Sequence, residues 1–90
     1  MLKTPNKWLK EGLTLSKLKR YEEAIVAYEH ALRLDPTSIV GWNNKGGILL
    51  ILKRYEEALP AFEQALHLDP NNTFAQVSKA SLLRTLKRSS

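Results

Sequence analysis

Lys19-Arg20-Tyr21-Glu22-Glu23-Ala24 reappears residue for residue as Lys53-Arg54-Tyr55-Glu56-Glu57-Ala58, 34 positions further along the chain. Working outward from this hexapeptide, residues 5–38 and 39–72 agree at 17 of 34 positions. The matches include Trp8/Trp42, Gly12/Gly46, Leu15/Leu49, Leu18/Leu52, Ala27/Ala61, Glu29/Glu63 and the closing Leu34-Asp35-Pro36/Leu68-Asp69-Pro70. Residues 73–88 keep the same register through Leu83, Leu86, Lys87 and Arg88. Self-similarity at a fixed period of this length marks a chain built from stacked supersecondary units, each too small to bury its own apolar face alone.

Each period reads as two helices. Trp8, Leu15 and Leu18 recur at helical spacing, as do Trp42, Leu49 and Leu52. The second segment of each unit carries Tyr21, Ala24, Tyr28, Ala31 and Leu32, then Tyr55, Ala58, Phe62, Ala65 and Leu66, in steps of three and four. Thr4-Pro5 suits an N-cap followed by a first helical residue that needs no amide proton. Asp35-Pro36 and Asp69-Pro70 end helices, because the residue before proline is pushed out of the α region. Thr37-Ser38 and Asn71-Asn72 then offer caps for the next helix. Pro60 falls inside the second unit's second helix, near its first turn, where a mild kink rather than a break is expected.

Composition narrows the class further. Ninety residues suffice for one domain, 1–90, with a modest core. The chain has no cysteine, which removes disulfides, thiolate metal sites and thiol nucleophiles together. At 43% hydrophobic and 26% charged it is globular in balance. The apolar run Ile48 to Leu52 is too short for a bilayer, and Lys3 and Lys7 precede no apolar stretch of a signal peptide. A soluble, cytoplasmic domain without a membrane role is the expectation. The formal charge of +5 keeps acidic partners and nucleic acid open.

Little in the chain suggests chemistry. His30 and His67 occupy different repeat positions and have no partner at metal-binding spacing, so no metal is expected. No nucleophile stands with a base, and Gly46-Gly47 lies mid-helix without the flanks of a phosphate loop. Trp8, Trp42, Tyr21 and Tyr55 could stack on bases, but their period of 34 assigns them to the contacts between helices. The expectation is a protein that is not an enzyme and holds no cofactor.

A 34-residue period carrying Trp8/Trp42, Gly12/Gly46, Ala24/Ala58, Tyr28/Phe62 and Pro36/Pro70 resembles the tetratricopeptide repeat. There are departures: Glu11 and Lys45 stand where leucine is usual, and Leu15 and Leu49 replace tyrosine. Gln76 and Ala80 replace the tryptophan and glycine in the third copy, as suits a capping helix whose outer face meets water. The resemblance implies an all-α, right-handed superhelical array of antiparallel helix hairpins. It would contain two full repeats, 5–38 and 39–72, and a C-terminal capping helix over 73–88, five helices in all.

The resemblance also implies a use. In this family the first (A) helix of each hairpin lines a concave groove that receives extended or helical peptides. Here the groove positions are Asn6, Leu9, Leu13 and Lys17, then Val40, Asn43, Asn44 and Gly47, with Leu50 at the edge. The third copy supplies Phe74, Val77, Ser78 and Ser81. One family activity grips the terminal carboxylate of chaperone tails with a lysine–asparagine pair, a middle asparagine and a lysine–arginine pair. Asn44 falls at the middle position, whereas Leu9, Leu13, Phe74 and Ser78 occupy the others, so that clamp is not expected. Lys19-Arg20, Lys53-Arg54 and Lys87-Arg88 recur once per repeat, a spacing that predicts a basic ridge along one groove edge. Such a ridge either guides an acidic partner or complements the helix dipoles beside it.

The leading expectation is therefore a protein-interaction adaptor. A structural self-assembly module, or a piece of a longer array, is the alternative. Leu50 or Ile51 would then cover an exposed face, since their equivalents Ser16, Lys17, Arg84 and Thr85 are polar. Nucleic-acid binding ranks below both, because the helical cousins that read RNA favour a 35-residue period and the second helices here are acidic.

Overall fold

The computed structural model describes residues 2–89 and contains five α-helices: α1 (Pro5–Lys17), α2 (Tyr21–Leu34), α3 (Ile39–Ile51), α4 (Tyr55–Leu68) and α5 (Thr73–Ser89). Consecutive helices pack on one another, so α1–α2 and α3–α4 form hairpins and α5 closes over α4. The result is an elongated body of 46 × 27 × 17 Å. No helix among the described residues is long and apolar enough to cross a membrane.

The caps follow from the local sequence. Thr4 Oγ1 accepts the Lys7 amide, with Pro5 in the first turn, and Ser38 Oγ accepts the Gly41 amide at 3.0 Å. Asn72 Oδ1 does the same for Ala75 at 2.9 Å. Between the hairpins, Asp35 turns the chain by accepting both the backbone amide and the hydroxyl of Thr37. These bonds favour the ionised carboxylate and hold the Asp35 pKa below its ordinary value. Inside each hairpin the link is tighter. Lys19 and Lys53 adopt φ of 61° and 59°. Arg20 and Arg54 amides reach back to the Leu15 and Leu49 carbonyls at 2.8 Å, and Lys19 and Lys53 amides to Ser16 and Leu50. Both are complete Schellman turns, with lysine in the left-handed position that glycine favours.

Small residues let the helices close. Tyr28 and Phe62 are 1% and 0% exposed and lie over Gly12 and Gly46, whose missing Cβ atoms would come within 3 Å of those rings. Ala24, Ala27, Ala31, Ala58, Ala61 and Ala65 thin the facing helices, and Leu49 and Leu82 complete the shared spine. The helix runs through Pro60 without a break, as expected, although Pro60 is the sixth residue of α4 and lies beyond its first turn. It lies on the exposed side, where the Glu56 carbonyl that loses its intrahelical donor can meet water.

The register survives substitution. Trp42 Nε1 donates to the Pro36 carbonyl at 2.8 Å, and Lys45 pairs with Glu29 at 3.4 Å. One period later Gln76 Nε2 donates to the Pro70 carbonyl at 2.7 Å, and Lys79 pairs with Glu63 at 3.5 Å. Gln76 thus keeps the donor of the tryptophan it replaces while giving up its bulk.

Candidate partner-binding face

Contacts link α1 to α3 around the Tyr28 hydroxyl and α3 to α5 at Gly47 and Phe74, and all three helices carry exposed apolar side chains. A helix advances about 100° per residue, so Val40, Asn44, Gly47 and Ile51 fall in one narrow stripe of α3. Val40 and Ile51 are 58% and 57% exposed. On α1, Leu13 is exposed and Leu9 half-buried against the core, with Asn6 and Lys17 outward at either end. On α5, Phe74, Val77 and Ser81 are exposed. Phe74 sets its ring edge-on to Phe62, with centroids 5.5 Å apart, and its Cζ passes 3.9 Å from where a Gly47 Cβ would stand. Gly47 thus leaves a shallow opening beside an aromatic wall.

The polar groups take mixed roles. Asn43 Nδ2 donates to Asn72 Oδ1 at 3.0 Å and so ties α3 to the cap of α5, while its own Oδ1 is buried without a partner. Asn44 and Ser16 flank the Tyr28 hydroxyl. Burial raises the Tyr28 pKa, and hydrogen bonds from Ser16 and Asn44 oppose that rise. Ser78 departs from the sequence expectation. Three residues after Ala75 and four before Leu82, it shares their inward side, is 6% exposed and is closed to a partner.

Leu50 and Ile51, the two residues the sequence offers for covering an exposed face, differ in burial. Leu50 packs against the core, and Ile51 is exposed in the same stripe of α3 as Val40 and Gly47. The groove positions leave Ile51 out, although its spacing of four from Gly47 and eleven from Val40 puts it in the same stripe of α3.

The basic ridge also changes. Arg20 forms two bonds to Glu23, at 2.8 and 2.6 Å. Arg54 bonds Glu57 and reaches across to Glu22 of the preceding repeat at 2.8 Å. Glu57 and then Glu22 raise the Arg54 pKa, since both favour its charged form. Lys19 and Lys53 project from the turns. Lys87 and Arg88, by contrast, lie within α5 and form no such turn. The first two turns are closed by a following helix folding back, and no described helix folds back over α5. The first two basic pairs thus share a turn geometry that the third, exposed within α5, does not.

Two clefts lie elsewhere. One, of about 290 Å³, opens beside the start of α4 between Lys53, Arg54, Tyr55, Glu56, Glu57 and Leu86. The other, of about 270 Å³, lies at the outer end of the first hairpin, lined by Trp8, Glu11, Leu15, Glu23, Val26, Ala27 and His30. Among the described residues no group of histidines and carboxylates is arranged to hold a metal ion.

Comparison with known proteins agrees with this architecture. The second TPR of Spaghetti (RPAP3), solved with the HSP90 peptide SRMEEVD, matches with a TM-score of 0.89 at 23% identity, over 96% of this chain and 80% of that one. The Arabidopsis OM64 TPR domain matches with a TM-score of 0.86 at 23% identity, over 91% of this chain and 68% of that one. The TPR2B domain of yeast Sti1, in its Hsp70 complex, gives 0.85 at 24% identity, over 93% and 67%. Comparison with curated proteins finds no match. The tetratricopeptide repeat signature covers residues 5–38 and 39–72, the same two periods that the hexapeptide marks. With both repeats matched and the helical hairpins in place, this chain belongs to the tetratricopeptide repeat family.

Proposed function

We propose that the chain is a protein-interaction module whose α1/α3/α5 face binds an apolar segment of a partner, extended or helical, without chemistry of its own. One observation carries this reading. Leu13, Val40, Ile51, Phe74 and Val77 are all large apolar side chains, each between 46% and 63% exposed, and all lie on the three A helices. Single exposed apolar residues are ordinary, whereas a row of them along one face marks a contact surface. Gly47 and Phe74 give the row a notch and a wall, and Asn44 at its centre can hydrogen-bond a backbone.

That the second TPR of Spaghetti and Sti1 TPR2B are seen with chaperone peptides supports peptide binding as the general use. The chemistry here differs. With Leu9, Leu13, Phe74 and the buried Ser78 at four of the five clamp positions, the clamp's cations for a terminal carboxylate are missing. Recognition then rests on apolar contact and varies little with salt, in contrast to an ion-paired interface.

The test begins with peptides selected from a displayed library against the intact chain. Val77→Asp and Ile51→Asp, both at exposed positions, should each weaken a selected peptide at least tenfold while leaving the helical circular dichroism unchanged. The peptide SRMEEVD should not bind. Selected peptides that ignore both substitutions would place the site on another surface.

A further inference from the structure

The 34-residue period carries the open stripe of α3 onto α1. Asn44 and Ile51 correspond to Lys10 and Lys17, and Gly47 to Leu13. The helix α3 has a hairpin before it and α5 after it, yet its Val40 and Ile51 stay exposed. The stripe is therefore open in the interior of the array. Its counterpart on α1, where Lys10, Leu13 and Lys17 are exposed, does not owe that exposure to the absence of a neighbouring helix.

Charge along this stripe has one sign. The helices α1, α3 and α5 together carry a single acid, Glu11, and it is bonded to Lys3. Lys45 and Lys79 are paired with glutamates of the preceding helix, whereas Lys10 and Lys17 form no ion pair among the described residues. Two parallel rows result. The row on α3, from Val40 to Ile51, is uncharged and roughly 16 Å long at 1.5 Å per residue. The row on α1 sets two cations seven residues, about two turns, apart on either side of Leu13. An extended chain turns one row of side chains toward a surface, but a helix can turn two neighbouring rows toward it.

We propose, on the reading that this face binds an apolar segment, that the segment is an amphipathic helix with an acidic edge. Its apolar ridge lies along α3, and carboxylates seven residues apart on one flank stand over Lys10 and Lys17. The acids are side chains rather than a chain terminus, and neither lysine occupies a clamp position. Exposed ion pairs are weak, so the apolar row supplies the affinity and the lysines choose among apolar helices. A helix with a basic edge would set like charges together and is rejected.

The test uses peptides of about 20 residues, long enough to span the face as a helix, selected from a displayed library against the intact chain. They should share Glu or Asp at a spacing of seven beside an apolar row, and should gain helical circular dichroism on binding. Lys10→Glu combined with Lys17→Glu should keep the wild-type fold and weaken these peptides about fivefold or more. Exchanging the peptide's two acids for lysine should restore binding to that variant. Lys7→Glu makes the same charge change on another side of α1, in the register of the buried Gly41 and Ala75, and should alter affinity by less than about twofold. Peptides that lose binding to Ile51→Asp but lack an acidic edge, bind without gaining helix, or ignore the double reversal overturn this inference and leave the face in place. Peptides that ignore Ile51→Asp overturn the face itself, and the inference with it.

Discussion

Adding one methyl group at Gly46 and at its neighbour Gly47 should move stability in opposite directions. Both glycines sit inside α3, where replacement by alanine removes a helix-propensity penalty of about 1 kcal/mol. The surroundings decide the net sign. A Cβ at Gly47 meets only Phe74 Cζ, at 3.9 Å, an ordinary contact. Gly47→Ala should therefore stabilise the chain by nearly the full propensity gain, about 0.5–1 kcal/mol. A Cβ at Gly46 would stand 2.8 Å from both Cε2 and Cζ of Phe62. That ring is fully buried, its partner Phe74 blocks one direction of escape, and it would have to retreat by more than half an ångström. Overpacking of this kind costs about 1–3 kcal/mol, so after the propensity gain Gly46→Ala should be net destabilising by up to about 2 kcal/mol. For a domain of this size each kcal/mol shifts Tm by about 4–8 °C, which separates the two variants by roughly 10 °C. Thermal and urea unfolding followed at 222 nm read the difference directly, with an unchanged urea slope to show that one transition is being compared. Equal stabilisation by both substitutions would refute the argument, because it would mean that Phe62 does not lie against the backbone of α3.

Other substitutions probe the turns and caps. Lys53→Gly should stabilise by about 0.5 kcal/mol, since relief of a left-handed lysine outweighs the added freedom of glycine in the unfolded chain, and Lys19→Gly should match it in the same unfolding assay. Pro60→Ala restores one helical bond on the exposed side of α4 and should raise stability by about 1–3 kcal/mol, seen as a higher urea midpoint. Asp35, with its pKa lowered in the fold, stabilises above the ordinary carboxylate value, and that contribution disappears as pH falls through the lowered one. Asp35→Asn should therefore flatten the acid limb of stability against pH, measured by urea midpoints between pH 2 and 7.

The helices, their order and the caps at Thr4, Ser38 and Asn72 were legible because period, proline and capping chemistry are local properties. Burial was less so, because it depends on what lies next door. Ser78 is polar and sits at a position that the family pattern marks for a groove, yet Ala75 and Leu82 set its side of the helix and turn it inward. Lys87-Arg88 copies Lys53-Arg54 in sequence, but the turn needs a helix folding back, and without one the same two residues stay in α5. Trp8 and Trp42 make the point most sharply. They hold the same register, and the sequence reads them as equivalent. Trp42 finds Pro36 and α2 beside it and becomes part of a joint, while Trp8 stacks on His30 of its own hairpin, carries Lys3 over its ring and walls an open cleft. A repeat therefore encodes half of each interface, and what that half becomes depends on the neighbour it meets. Glu11, set where the interior joints carry lysine, reverses their polarity, and the cation it meets is Lys3 of the same chain, which also lies over the Trp8 ring.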